Sequence, residues 1–213
     1  MNLKRPLLFI YALISVLAVY LLANHSEHRI NLKAIPIIVL LVTYYTSVKT
    51  INVKVVLFFL SIILADLIIV NLDCFSIGLL FYCLSYLIIS SICWRSFKSK
   101  VRKEIIKYFV IFFFLFLIVF IYTIKNKGNA FLSLFLYGVT LSMATSLLFT
   151  NYLKRMIPTN YFLFLAIAAR IVSDSILTIV LFNDYNMYYS IIAHLIYFIS
   201  NYLFYKGFIL RNA

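Results

Sequence analysis

Apolar residues run through the chain in eight long blocks, each closed by a short polar or charged stretch. The blocks cover residues 6–23, 34–48, 55–71, 75–94, 108–124, 130–149, 161–182 and 188–209. They are continuous and lack the alternation that marks the strands of a membrane barrel. Runs of this kind predict helices, most of them near the about 20 residues that cross a bilayer. Only three prolines and four glycines interrupt the chain, and Pro36 falls in a first helical turn, where proline is tolerated. The expected fold is therefore all-α: one integral membrane domain over residues 1–213, a bundle of eight transmembrane helices. The first block follows Lys4 and Arg5 as a signal peptide would, but it is longer than a usual signal core and shows no clear small-residue cleavage site. It is read as a retained helix.

Composition sharpens this picture. The chain is 65% hydrophobic and 12% charged, against about 25% charged in soluble domains. With eight crossings, the loops on the side of the termini collect fourteen Lys and Arg, while Arg29, Lys33, Lys125 and Lys127 face the other side. This bias predicts both termini in the cytoplasm, most simply of a bacterial inner membrane. The net charge of +13 is then explained by loops facing anionic lipid, with no need for nucleic acid. The basic stretch Arg95 to Lys107 is expected to be a solvated loop. The block after it, almost pure Phe, Ile, Leu and Val, is expected to face lipid. Cys74, Cys83 and Cys93 show no metal-type spacing and read as packing residues.

A few charged or titratable residues break the apolar blocks. Asp66, Arg170, Asp174 and His194 each sit inside one. An intramembrane charge costs on the order of 2.5–3.5 kcal/mol even on mild scales, and is kept when it faces a partner, a cavity or a substrate. In the expected topology Asp66 lies roughly 7–8 Å below the outer boundary, Asp174 about 12 Å and His194 roughly 10 Å, so the three share one layer. Arg170 precedes Asp174 by one helical turn on the same face. Two roles fit it: ion-pair partner of Asp174, the favoured one, or phosphate holder. The pair could also serve packing alone. His194 reads as a packing residue or, less simply, as a proton relay.

Two stretches carry a family resemblance. One is the apolar run from Leu57 ending in Ala65-Asp66, followed by Phe75-x-x-Gly78-Leu79. The other is Ser173-Asp174-Ser175-Ile176-Leu177 with Phe182 after it. Smaller echoes are Lys33 and Pro36, Tyr137-Gly138 with Met143-Ala144, and Tyr197 with Gly207. In this order the motifs resemble the YhhN family of eight-helix membrane proteins, whose characterised members are lysoplasmalogenases. Departures are Ala65 for the family's Gly, Tyr86 for its His, Ile89 for its Tyr, Asn201 for its Gln and Arg170 for an aromatic residue.

The resemblance implies a membrane-embedded hydrolase that cleaves the vinyl-ether bond of a lysophospholipid with an ethanolamine or choline headgroup. Asp66 and Asp174 are the implied catalytic pair, with Arg170, Ser173, Tyr86, Tyr197, His194 and Asn201 in support. No metal and no cofactor are expected; His25, Glu27 and His28 form at most a weak loop site. Two carboxyls suit acid-catalysed hydrolysis, one protonated and one ionised. Asp66 has no basic neighbour on its own helix and is expected to be the acid. Asp174, beside Arg170, is expected to be the ionised partner. Ser173 and Ser175 lack the Gly-x-Ser-x-Gly setting of a serine nucleophile. Two alternatives remain from sequence alone: a catalytically diverged relative, and a small-solute transporter.

Overall fold

In a computed structural model, the structure describes residues 4–23, 32–69, 74–94, 101–123, 130–182 and 186–212. Among them are eight α-helices and no strand: α1 Lys4–Ala23, α2 Ala34–Ser47, α3 Val53–Ile69, α4 Phe75–Trp94, α5 Arg102–Thr123, α6 Phe131–Lys154, α7 Pro158–Phe182 and α8 Met187–Asn212. Five of them, α1, α4, α5, α6 and α7, are long and apolar enough to cross a membrane. The outer face of α1 shows Phe9, Leu13, Val16 and Leu17, each more than half exposed. Hydrocarbon on that scale belongs against lipid.

The helices extend beyond their apolar blocks where polar groups close their ends. Residues 102–107, expected as loop, form the first turns of α5. Glu104 sits in the first turn, where a negative charge suits the helix dipole, and pairs with Lys154 of α6 at 2.7 Å. That pair is exposed and adds little stability. Helix α6 runs to Lys154 rather than ending near residue 149. The Asn160 amide donates to the Asn151 carbonyl at 3.1 Å and the Arg155 carbonyl at 2.8 Å, tying the start of α7 to the end of α6. Pro158 opens α7 at the position that needs no N–H. Asn52 caps α3, its Oδ1 accepting from the Lys54 N–H at 3.0 Å. The expected ends of the third, fifth and seventh apolar blocks adjoin residues 70–73, 124–129 and 183–185, which lie outside the described residues.

Packing follows the order of small and large side chains. Helices α7 and α8 form the most extensive pair, α3 packs on α4, α4 on α6, and α1 on α2 and α8. Two serines stitch α7 to α8: Ser173 donates to the Ala193 carbonyl at 2.8 Å, and Ser200 to the Ala166 carbonyl at 2.9 Å. Gly207 lets the two helices close; a Cβ there would lie 2.6 Å from a methyl of Leu163, which is fully buried. Helix α5 is peripheral. It leans chiefly on α6, touches α7, and buries only Ile105 and Phe120 among its described side chains. Where it meets α6, the Phe116 ring occupies the space that a side chain at Gly138 would take.

Replacing Gly207 with Val is expected to lower stability by about 1–3 kcal/mol through overpacking against Leu163, and Gly207→Ala by less. Thermal unfolding in detergent measures both. Equal midpoints for the wild type and Gly207→Val would contradict the close approach of α7 and α8.

Candidate functional site

Asp66 lies on α3 with no exposed surface. A carboxylate so placed persists only with strong partners. It has three. The hydroxyls of Tyr82 on α4 and Tyr197 on α8 donate to its two oxygens, and the Lys33 ammonium lies 3.2 Å from Oδ1. Lys33 directly precedes α2 and is itself buried, 6% exposed. Its ammonium also donates to the Tyr82 hydroxyl at 3.2 Å and lies 4.1 Å from the centre of the Tyr197 ring. Four helices thus converge on one carboxylate.

Asp174 stands in a second, linked cluster. Its Oδ2 accepts from the Tyr137 hydroxyl of α6, and the Tyr137 and Tyr86 hydroxyls are 3.1 Å apart. Tyr82 and Tyr137 meet edge to face with ring centres 6.3 Å apart. One aromatic wall therefore carries a hydrogen-bond donor to each aspartate. Asp174 is partly exposed, and what it faces is a cavity of about 340 Å³. The cavity is bounded by α4, α5, α6 and α7, with Lys33 and Ile69 at one side. Along α7 it reaches from Ala168 to Thr178, roughly 15 Å of helix. Lys33, Tyr82, Tyr137 and Asp174 lie partway along it, with Ser175 and Thr178 beside them on α7. The stretch beyond them is walled by side chains such as Phe112, Phe116 and Leu141, with Ser142 and Thr145 as its hydroxyls. The size matches pockets for small organic ligands, about 300–1,000 Å³, and the lining suits hydrocarbon.

Arg170 does not pair with Asp174. Its Nη2 donates to Asn201 Oδ1 of α8 at 2.6 Å, and its guanidinium carbon lies 4.1 Å from the centre of the Tyr197 ring. Asn201 in turn donates to the Tyr197 carbonyl at 3.1 Å. The spacing of one turn brings two side chains to the same helix face, but the long arginine stem carries its head across to α8. Among the described residues, Arg170 Nε and Nη1 meet no acceptor. Arg170 is 1% exposed and is absent from the cavity wall, so the phosphate-holding role has no surface to act on. The expected electrostatic division is also reversed. Asp66, which has no basic neighbour on its own helix, has Lys33 delivered from the start of another; Asp174, expected to be ion-paired, makes no ion pair among the described residues.

The remaining expected residues fall into two groups. Tyr86 and Tyr197 belong to the two carboxyl clusters. Ser173 and Asn201 join α7 to α8, whereas His194 Nδ1 lies 2.8 Å from the Ser190 carbonyl one turn back, which makes Nδ1 its N–H donor. His194 thus fills the packing role, bonded within its own helix. Lys33, Tyr82 and Tyr137 were not singled out as site residues by sequence reasoning, although Lys33 and Tyr137 stand among the family echoes. His25, Glu27 and His28 lie outside the described residues. Among the described residues, no three His, Cys, Asp or Glu side chains gather as a metal site needs.

No protein-family profile, curated protein or solved structure matches the chain.

Removing Lys33 alone would strand a buried carboxylate. Lys33→Met is expected to destabilise the protein by about 3–5 kcal/mol, while Lys33→Met combined with Asp66→Leu recovers much of that loss. Unfolding midpoints of the two single variants and the double variant form the test. A double variant as unstable as the sum of both singles would show that the two residues do not act as a pair.

Proposed function

We propose that the protein is a membrane-embedded hydrolase of single-chain ether lipids, of the lysoplasmalogenase type that its motifs resemble. The observation that carries this reading is the setting of Asp174: a carboxyl with one phenolic partner and no ion pair among the described residues, facing an elongated apolar cavity. The second carboxylate lies behind the same aromatic wall. The apolar stretch suits hydrocarbon, and a lysolipid chain entering it would bring its vinyl-ether carbons beside Asp174.

The chemistry follows from that placement. Asp174, protonated, gives its proton to the vinyl carbon further from the ether oxygen, leaving an oxocarbenium ion. The Asp174 carboxylate so formed faces this cation and stabilises it. Water adds to the carbon bearing the oxygen and returns a proton to Asp174. The resulting hemiacetal splits into a fatty aldehyde and a glycerophospho-alcohol. One carboxyl thus serves as acid and then as base, as the acid of a retaining glycosidase does. Asp66, held by Lys33, is the ionised member. It orients Tyr82 and Tyr197 and supplies a fixed negative charge behind the site.

This reading places the chain in a bacterial inner membrane with eight spans and both termini in the cytoplasm, as the distribution of Lys and Arg favours. The transporter alternative calls for a polar path through both halves of the bundle, whereas the stretch walled by Phe112 and Leu141 offers little besides Ser142 and Thr145. Tyr86, where the family has His, reaches Asp174 only through Tyr137.

Purified protein in detergent is expected to release aldehyde from lysoplasmenyl-ethanolamine and its choline analogue, and none from acyl or alkyl-ether lysolipids. Asp174→Asn is expected to lower the rate by about 10²–10⁴-fold, the range for a lost general acid. Aldehyde from none of these lipids, with folded protein, would sink the proposal. For topology, reporters fused at each terminus are expected to register a cytoplasmic location; opposite sides for the two ends would exclude an even number of spans.

A further inference from the structure

At the opposite end of the helices from Lys33 the charge balance is lopsided. The described residues there include eleven Lys and Arg, from Lys4 to Arg211, and a single acid, Glu104. Glu104 is already paired with Lys154. Within this basic end lies a hollow of about 240 Å³ lined by Asn52, Val53, Lys54, Ile92 and Arg211. It joins the start of α3, the end of α4 and the end of α8.

Lys54 and Arg211 lie far apart in sequence, yet both are half-buried and border the same hollow. Each is anchored to the end of α4: Lys54 Nζ donates to Ser91 Oγ at 2.8 Å, and Arg211 Nη2 to the Ile92 carbonyl at 3.0 Å. Each of these bonds uses one hydrogen, the first to a side-chain hydroxyl and the second to a main-chain carbonyl near the end of α4. Arg211 also bonds the Cys93 side chain; its further hydrogens and those of the Lys54 ammonium remain, and among the described residues no carboxylate lines the hollow. The first turn of α3 opens onto the same space and adds the positive end of its dipole. Two cationic side chains, on α3 and α8, and the start of α3 therefore converge on one half-buried hollow, which the C-terminal ends of α4 and α8 also border.

We propose that Lys54 and Arg211 hold a phosphate anion in this hollow. The guanidinium offers the planar fork that phosphate oxygens fit, and the ammonium a compact charge beside it. Two sources carry that chemistry, the headgroup of an anionic phospholipid and free phosphate. The site is distant from the Asp66–Asp174 layer and independent of the proposed hydrolysis.

The test measures phosphatidylglycerol binding to the delipidated full-length protein in detergent by native mass spectrometry, with phosphatidylcholine and inorganic phosphate as further arms. Lys54→Gln and Arg211→Gln are each expected to weaken phosphatidylglycerol binding by about fivefold, and together by about twenty-five-fold. Lys54→Arg, which keeps the charge, retains binding. Lys103→Gln with Lys107→Gln removes the same charge from the same end and leaves it unchanged. Inorganic phosphate that binds with the same dependence on Lys54 and Arg211 supports the site and assigns free phosphate as its source. Phosphatidylglycerol binding with that dependence, undisturbed by inorganic phosphate, supports the site and assigns the lipid. Phosphatidylglycerol and inorganic phosphate binding both indifferent to Lys54 and Arg211, or weakened equally by the Lys103 and Lys107 pair, overturns the proposal.

Discussion

The interior of this bundle depends on one charge pair. The Asp66 carboxylate has no exposed surface, and an isolated charge so placed would be expelled or neutralised. Lys33 prevents this from the start of α2, and the phenols of Tyr82 and Tyr197 satisfy the carboxylate's oxygens. The arrangement ties α2, α3, α4 and α8 to a single point. Such a pair is weak evidence for stability, because both ions lose their water. It does fix how the helices meet, since a shift of any one of them would leave a polar group without a partner.

Once that point is fixed, the rest of the polar layer follows. Tyr82 sets the aromatic wall, Tyr137 stands against it, and Tyr137 holds Asp174 at the cavity. Arg170 lies behind the wall, over the Tyr197 ring. The two aspartates therefore differ in kind. One is enclosed and charge-compensated; the other is partly exposed and holds a single phenol. Two chemically identical groups thus stand in different surroundings, as the proposed division into an acid and an ionised carboxylate requires.

The sequence made some of this legible and hid the rest for definite reasons. A carboxyl or a guanidinium in an apolar run stands out, so Asp66, Arg170 and Asp174 could be found by inspection. The partners could not. Lys33 sits beside a polar stretch and looks like an ordinary loop cation; only the folded bundle brings it to Asp66. Tyr82 and Tyr137 are two of seventeen tyrosines, and nothing local separates a buried donor from a ring at the lipid interface. The proposed Arg170–Asp174 pair failed because helical spacing reports which residues share a face, not where a long side chain ends. Helix ends were misplaced for a related reason: Arg102 to Lys107 and Thr150 to Lys154 are polar but helical, and the apolar pattern marks only the part of a helix that is apolar.

The meeting of α5 and α6 has a consequence for how such a protein can change over generations. The Phe116 ring lies where a methyl group at Gly138 would have to be, only 2.0 Å from that position, and the same ring forms part of the cavity wall. Any larger residue at 138 must push the ring aside or lever α5 away from α6. The bore available to a guest is thus governed by a backbone hydrogen next to Tyr137, at a site that carries no charge. Drift at this one position can retune the width of the cavity while every polar contact to Asp66 and Asp174 stays chemically intact.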